Sequence, residues 1–131
     1  QALTRNEIRL GALEPMRDFT FVGDTVEGFL RMGSADGVVG QEINIGAGDC
    51  ISIGDLAHKI MKLVGRELPV VAEKQRLRPV KSEVMRLHAA NSKARDLIGW
   101  EPQVSLDEGL MLTINWIRTN LGRYRPYVYE V

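Results

Sequence analysis

One cysteine, two histidines and no excess of either charge leave this 131-residue sequence short of several common chemistries. With Cys50 alone, no intrachain disulfide can form and no cysteine-based metal cluster can be built, so the thiol reads as idle. His58 and His88 have no partner at a metal-binding spacing, and no Ser/His/Asp or Cys/His set assembles around them. The 17 basic and 17 acidic residues cancel, which excludes a bulk polyelectrolyte and makes any anion site a local one. No apolar run approaches the ~20 residues of a membrane span. No signal peptide is visible at the start, and the chain reads as cytosolic.

What remains is the composition of an ordinary globular domain, 44% hydrophobic and 26% charged, at a length that suits a single core. The opening "QALTRNEIRLG" lacks Met and begins as though already inside a helix, so the chain reads as a fragment. "RDFTFV" reads as extended, and "GDTVEGFLRMG" as a helix capped by Asp24 with Glu27 three residues on, burying Val26, Phe29 and Leu30 and stopping at Gly33. Glu42 to Ile45 reads as a buried strand ended by Gly46 and Gly48. The next helix has Ser52 as cap and Asp55 in the reciprocal position, with Ile53, Leu56, Ala57, Ile60 and Val64 at helical spacing before Gly65.

"LPVVAE" is a strand by its β-branched content, and "SEVMRLHA" alternates like one, with Val84, Arg86 and His88 on one face. A short helix follows from Asn91 or Ser92 to Gly99. The last helix starts at Ser105, has Glu108 as capping partner, and turns Leu106, Leu110, Ile114, Ile117 and Leu121 inward. The expectation is a mixed α/β chain of short strands and three to four helices whose sheet is too small to be complete.

Lys74 to Arg95 is the informative stretch, since seven basic residues stand there against Glu83 alone. A guanidinium forks onto phosphate oxygens better than an ammonium does. Clustered charge is just as readily a solvated face. Two details favour a ligand: Pro79 holds Arg78 in an irregular segment, where side chains converge more easily, and Glu83 supplies acceptor oxygens suited to sugar hydroxyls. Together these suggest a nucleotide. Arg17 is the other candidate, with a salt bridge to Asp18 as its plainer role. "NIGAGD" offers Gly-x-Gly after a strand, but position 51 is Ile where a dinucleotide fingerprint needs its third glycine.

The set "RDFTFVGDTVEGF", "INIGAG", "ISIGDLAHKI", "RLRPVKSEVMRL", "NSKARDLIGWEP" and "SLDEGLMLTINWI" resembles, in order, the C-terminal part of extended short-chain dehydrogenase/reductases acting on nucleotide sugars. Within them the chain looks most like NAD-dependent nucleotide-sugar 4,6-dehydratases, with 4-epimerases as near relatives. The resemblance implies an α/β fold that is the C-terminal portion of an extended Rossmann-type enzyme, residues 1–131 forming the nucleotide-diphosphate-binding part. It implies a separate N-terminal Rossmann domain holding NAD and a Tyr-x-x-x-Lys pair, neither of whose motifs occurs here, so the chain alone is expected to bind no cofactor and to be catalytically silent.

Carried over by motif, the resemblance makes Arg17 and Arg78 contacts to the substrate diphosphate and Glu83 the receiver of the ribose hydroxyls. Ile8 and Leu10, in "EIRLG", flank the base. It also implies a homodimeric parent and no nucleic-acid or membrane partner. Two other classes compete: a nucleic-acid-binding module on the basic stretch, which lacks interleaved aromatics for stacking, and a non-catalytic interaction domain docking through the tail at residues 122–131.

Overall fold

The structure, a computed structural model, describes residues 1–77, 79 and 82–125. Arg78, Val80, Lys81 and residues 126–131 lie outside the described residues. The chain divides into two compact units, the first formed by Gln1–Pro15, Ser52–Met85 and Leu110–Val131, the second by Met16–Ile51 and Arg86–Gly109.

In the first unit β1 (Ile8–Leu10) pairs in parallel with β3 (Val70–Ala72), Ile8 opposite Val70 and Leu10 opposite Ala72. Helix α2 (Ile53–Val64) forms as its sequence predicts. The Ser52 hydroxyl accepts the Asp55 N–H at 3.0 Å and donates to the Asp55 carboxylate at 2.6 Å. Gly65 ends the helix at φ 77°, a conformation that favours glycine. Segment 13–15 anchors the first turn, with Leu13 and Pro15 carbonyls accepting the N–H groups of Gly54 and Ile53. The inner face of α2 puts Met61 into a core with Ala2 and Ile8, around which Ile60 and Val64 of the same helix and Leu10, Leu68 and Val70 pack. The C-terminal part of helix α4 (Leu106–Thr119) adds buried Ile114. Ser105 caps α4 through the Glu108 N–H, as expected, whereas Leu121 falls outside it in a 3-10 turn at Leu121–Arg123 and is 37% exposed.

The second unit holds β2 (Met16–Arg17), helix α1 (Val22–Ser34) and helix α3 (Ser92–Ile98), centred on Trp100, only 1% exposed. Four expectations are corrected here. Asp24 does not cap α1: the helix starts two residues earlier, with Phe21 at the cap position. The buried Asp24 carboxylate instead accepts the Gln103 and Val104 N–H groups at 3.1 and 3.0 Å. The stripe Val26, Phe29 and Leu30 is exposed, because α1 turns Asp24 and Gly28 inward. Residues 42–45 form no strand, and "SEVMRLHA" is reduced to one parallel bridge between Arg86 and Met16. Strand composition alone supplies no neighbour with which to pair. α3 ends at Gly99, as expected, at φ 59°.

Candidate functional site

The residues singled out by sequence fall in both units. Arg17 ends β2 in the second unit, half-buried, with its Nη1 donating to the Met16 carbonyl at 2.8 Å. Its neighbour Asp18 holds the surrounding backbone together. The Asp18 carboxylate accepts N–H bonds from Ala47 at 2.6 Å, Gly48 at 3.0 Å and Ala89 at 3.1 Å. One ionised side chain thus fastens the end of β2 to the 46–48 turn and to the end of the basic stretch, through charge-assisted bonds of the stronger kind. Gly46 permits this approach: a Cβ there would meet Asp18 Oδ2 at 2.8 Å as well as the Ala89 methyl. Asn91 closes the other side, donating from Nδ2 to the Gly46 carbonyl at 2.7 Å.

The bridge between Met16 and Arg86, with the Leu87 N–H on the Met16 carbonyl at 3.1 Å, lays the latter part of the basic stretch alongside β2. Paired residues share a face and neighbours alternate, so Arg86 lies on the side of Met16 while Arg17 takes the other. His88 follows Arg86 and donates from Nε2 to the Gly48 carbonyl at 2.8 Å, which gives this exposed histidine a structural partner. His58 is likewise exposed, with Nδ1 at 2.8 Å from the Gly54 carbonyl.

The first unit brings β1 to the start of the basic stretch. The Glu73 N–H donates to the Leu10 carbonyl at 2.7 Å, and Glu73 pairs with both Arg76 and Arg9. The hydrogen bond from Arg76 holds the Glu73 carboxyl below its ordinary range. Gly11 lets the 3-10 turn at Lys74–Arg76 close against β1, where a Cβ would strike the Arg76 backbone carbonyl. Ile8, 5% exposed, and half-buried Leu10 line an apolar cavity of about 610 Å³ together with Leu56, Ile60 and Ile114. Glu83, half-buried, belongs to the same unit.

The Gly46–Gly48 turn is a poor fit for a dinucleotide pyrophosphate. The N–H groups of Ala47 and Gly48, which a phosphate would need, already face a carboxylate, and the next helix starts only at Ile53. Among the described residues no group of three or more His, Cys, Asp or Glu is arranged to hold a metal ion. No helix among them is long and apolar enough to cross a membrane.

Comparison with known proteins decides the family. Residues 1–113 match the family model described as GDP-mannose 4,6 dehydratase. The chain belongs to that family. Its relatives are nucleotide-sugar epimerases, dehydratases and reductases of the extended short-chain dehydrogenase/reductase type. The UDP-glucuronate 4-epimerase of Thermodesulfobacterium geofontis is 34% identical over 106 residues, which are 80% of this chain and 31% of the relative. An epimerase structure from Methanothermobacter thermautotrophicus matches with a TM-score of 0.83 at 32% identity, over 93% of this chain and 36% of that one. The UDP-glucuronic acid 4-epimerase of Bacillus cereus, solved with UDP-glucuronic acid and NAD, matches with a TM-score of 0.76 at 28% identity, over 87% of this chain and 36% of that one. This family member therefore spans about a third of the relatives it matches. Its fold is the small mixed α/β portion of an extended Rossmann-type enzyme, with four α-helices among the described residues.

Sequence reasoning missed Asp18, treating it only as a salt-bridge partner for Arg17. The one available signal was a carboxylate at a strand end in a chain that elsewhere carries Gly-x-Gly, and that signal is weak.

Proposed function

We infer that this chain is the nucleotide-sugar-binding portion of an NAD-dependent nucleotide-sugar 4,6-dehydratase, operating in the cytoplasm as part of a homodimeric parent. Its partner within the parent is an N-terminal Rossmann domain that holds NAD and carries the chemistry. Arg17 and Arg78 grip the diphosphate, and Glu83 receives the ribose hydroxyls. Leu10 offers its half-exposed side chain to the base, while Ile8, already in the core, backs that wall. Binding energy from the non-reacting nucleotide then holds the sugar ring in register for reaction elsewhere.

The observation that carries this reading is the Asp18 clasp. It ties the Arg17 segment to the 46–48 turn and to the end of the basic stretch, so that Arg17 extends from a backbone held at three points. A cation meant to position a ligand needs such support. The description of the matching family model favours the dehydratase. The 4-epimerases among the relatives favour a second reading, a nucleotide-sugar 4-epimerase.

In the intact enzyme Arg17→Ala and Arg78→Ala should each raise KM for the nucleotide sugar about tenfold or more, since a charge-assisted hydrogen bond is worth about 1.5–3 kcal/mol. An unchanged KM in both variants, with folding verified by thermal melting, removes the two roles. Product analysis separates the readings, because a dehydratase yields a 4-keto-6-deoxy sugar and an epimerase the 4-epimer.

A further inference from the structure

Asn91 stands immediately before α3, where an asparagine ordinarily turns its side-chain oxygen back onto the first N–H groups of the helix. Among the described residues it makes no such bond. Its Nδ2 donates instead to the Gly46 carbonyl at 2.7 Å, a residue 45 positions away, and its Oδ1 is buried without a hydrogen-bond partner among those residues. Turning the amide over would set Oδ1 against the Gly46 carbonyl oxygen, two acceptors face to face, so the donor belongs where it stands. Both features cost stability: a helix start lacks its side-chain cap, and a buried acceptor has lost the water it had in the unfolded chain. Departures of this kind concentrate where function requires them.

What the departure secures is the 46–48 turn. Asp18 accepts the Ala47 and Gly48 N–H groups, and Asn91 donates to the carbonyl of Gly46, so three consecutive residues are held by two side chains of opposite hydrogen-bonding character. N–H groups gathered on one carboxylate leave a turn able to rock about that carboxylate. A donor on the preceding carbonyl stops the rocking. Asp18 directly follows Arg17 in the chain, so any freedom left to the clasp is passed to the base of the arginine side chain.

We propose that Asn91 is a positioning residue for substrate binding: through the Gly46 carbonyl it fixes the turn that Asp18 grips, and with it the orientation from which Arg17 meets the substrate diphosphate. The proposal rests on the function inferred above, which gives Arg17 that contact. Asn91 acts without touching the substrate. The chemistry also accounts for the residue type, since serine suits a helix start equally but is too short to reach Gly46, and aspartate has no N–H to give.

The test is Asn91→Ser in the intact enzyme. Serine keeps the capping preference and removes the buried oxygen, so the melting temperature should move by no more than about 3 °C. KM for the nucleotide sugar should nevertheless rise about three- to tenfold with kcat within about twofold, because the binding lost is that of a part of the substrate that does not react. A residue that only held the fold together would do the reverse. In an Arg17→Ala background, Asn91→Ser should change KM by less than about 1.5-fold, the non-additivity expected when one residue acts through the other.

An unchanged KM in Asn91→Ser beside a raised KM in Arg17→Ala overturns this proposal and leaves the functional reading standing. A KM rise that persists undiminished in the Arg17→Ala background also overturns it, whatever the melting temperature, since Asn91 would then act by another route. If Arg17→Ala itself leaves KM unchanged, the functional reading fails and this proposal falls with it.

Discussion

Helices α1 and α2 are of similar length and both amphipathic, yet they use their faces in opposite ways. α2 turns Met61, Ile60 and Val64 onto Ala2 and Ile8, and its ends are closed locally by Ser52 and Gly65. α1 has no side-chain cap, buries Asp24 and Gly28, and holds its apolar residues out to solvent. Burying a Val, Leu or Phe side chain is worth about 1.5–3 kcal/mol. The exposed stripe of α1 therefore leaves unused a stabilisation that α2 already has. Amphipathicity identifies the face a helix is able to bury, and the face it does bury depends on which partners are present.

The contrast is open to direct tests. The largest effect should come from Trp100, whose indole N–H donates to the Asp24 carbonyl at 2.9 Å and whose ring fills the space beside Gly28. Trp100→Ala should cost about 3–5 kcal/mol in denaturant unfolding. A loss below about 1 kcal/mol, the scale of an ordinary substitution, would mean that α1 is held by something else.

Met61→Ala, on the inner face of α2, should cost about 2–5 kcal/mol. Ser52→Ala, which leaves the Asp55 N–H without its acceptor, should cost about 1 kcal/mol, visible as a lower denaturation midpoint at unchanged slope. At the bottom of the scale, Leu30→Lys should change the stability of the 131-residue chain by no more than about 0.5 kcal/mol. If Leu30→Lys proves as damaging as Met61→Ala, the two helices do not differ in the way described.

The legibility of each element follows the range of the interactions that make it. α2, the start of α4 and the end of α3 were readable because their caps and stops lie within a few residues of one another. The start of α1 was misread because Asp24 is engaged by backbone 79 and 80 residues away, a tertiary role stronger than the local cap its spacing suggests. Residues 42–45 have the composition of a strand, but pairing is supplied by a neighbour, and none of the described residues provides it.

The same logic divides the candidate site. Arg17 and Glu83 are candidates on ordered motifs alone, which name a residue without showing what it touches. Asp18 was not recognisable, because its partners at Ala47 and Ala89 lie 29 and 71 residues away and contribute only main-chain N–H groups. Arg86 looked like part of one basic cluster until its pairing with Met16 assigned it to the other side of the strand from Arg17.

Because the Asp18 clasp engages peptide groups and no side chains, it is indifferent to what residue 47 is and sensitive to how many residues lie around it. Exchanging Ala47 for another small residue leaves the donor in position, whereas inserting or deleting a single residue between Gly46 and Gly48 shifts both N–H groups out of reach. Length polymorphism in this turn is therefore the genetic change most apt to cut Arg17 loose from its support.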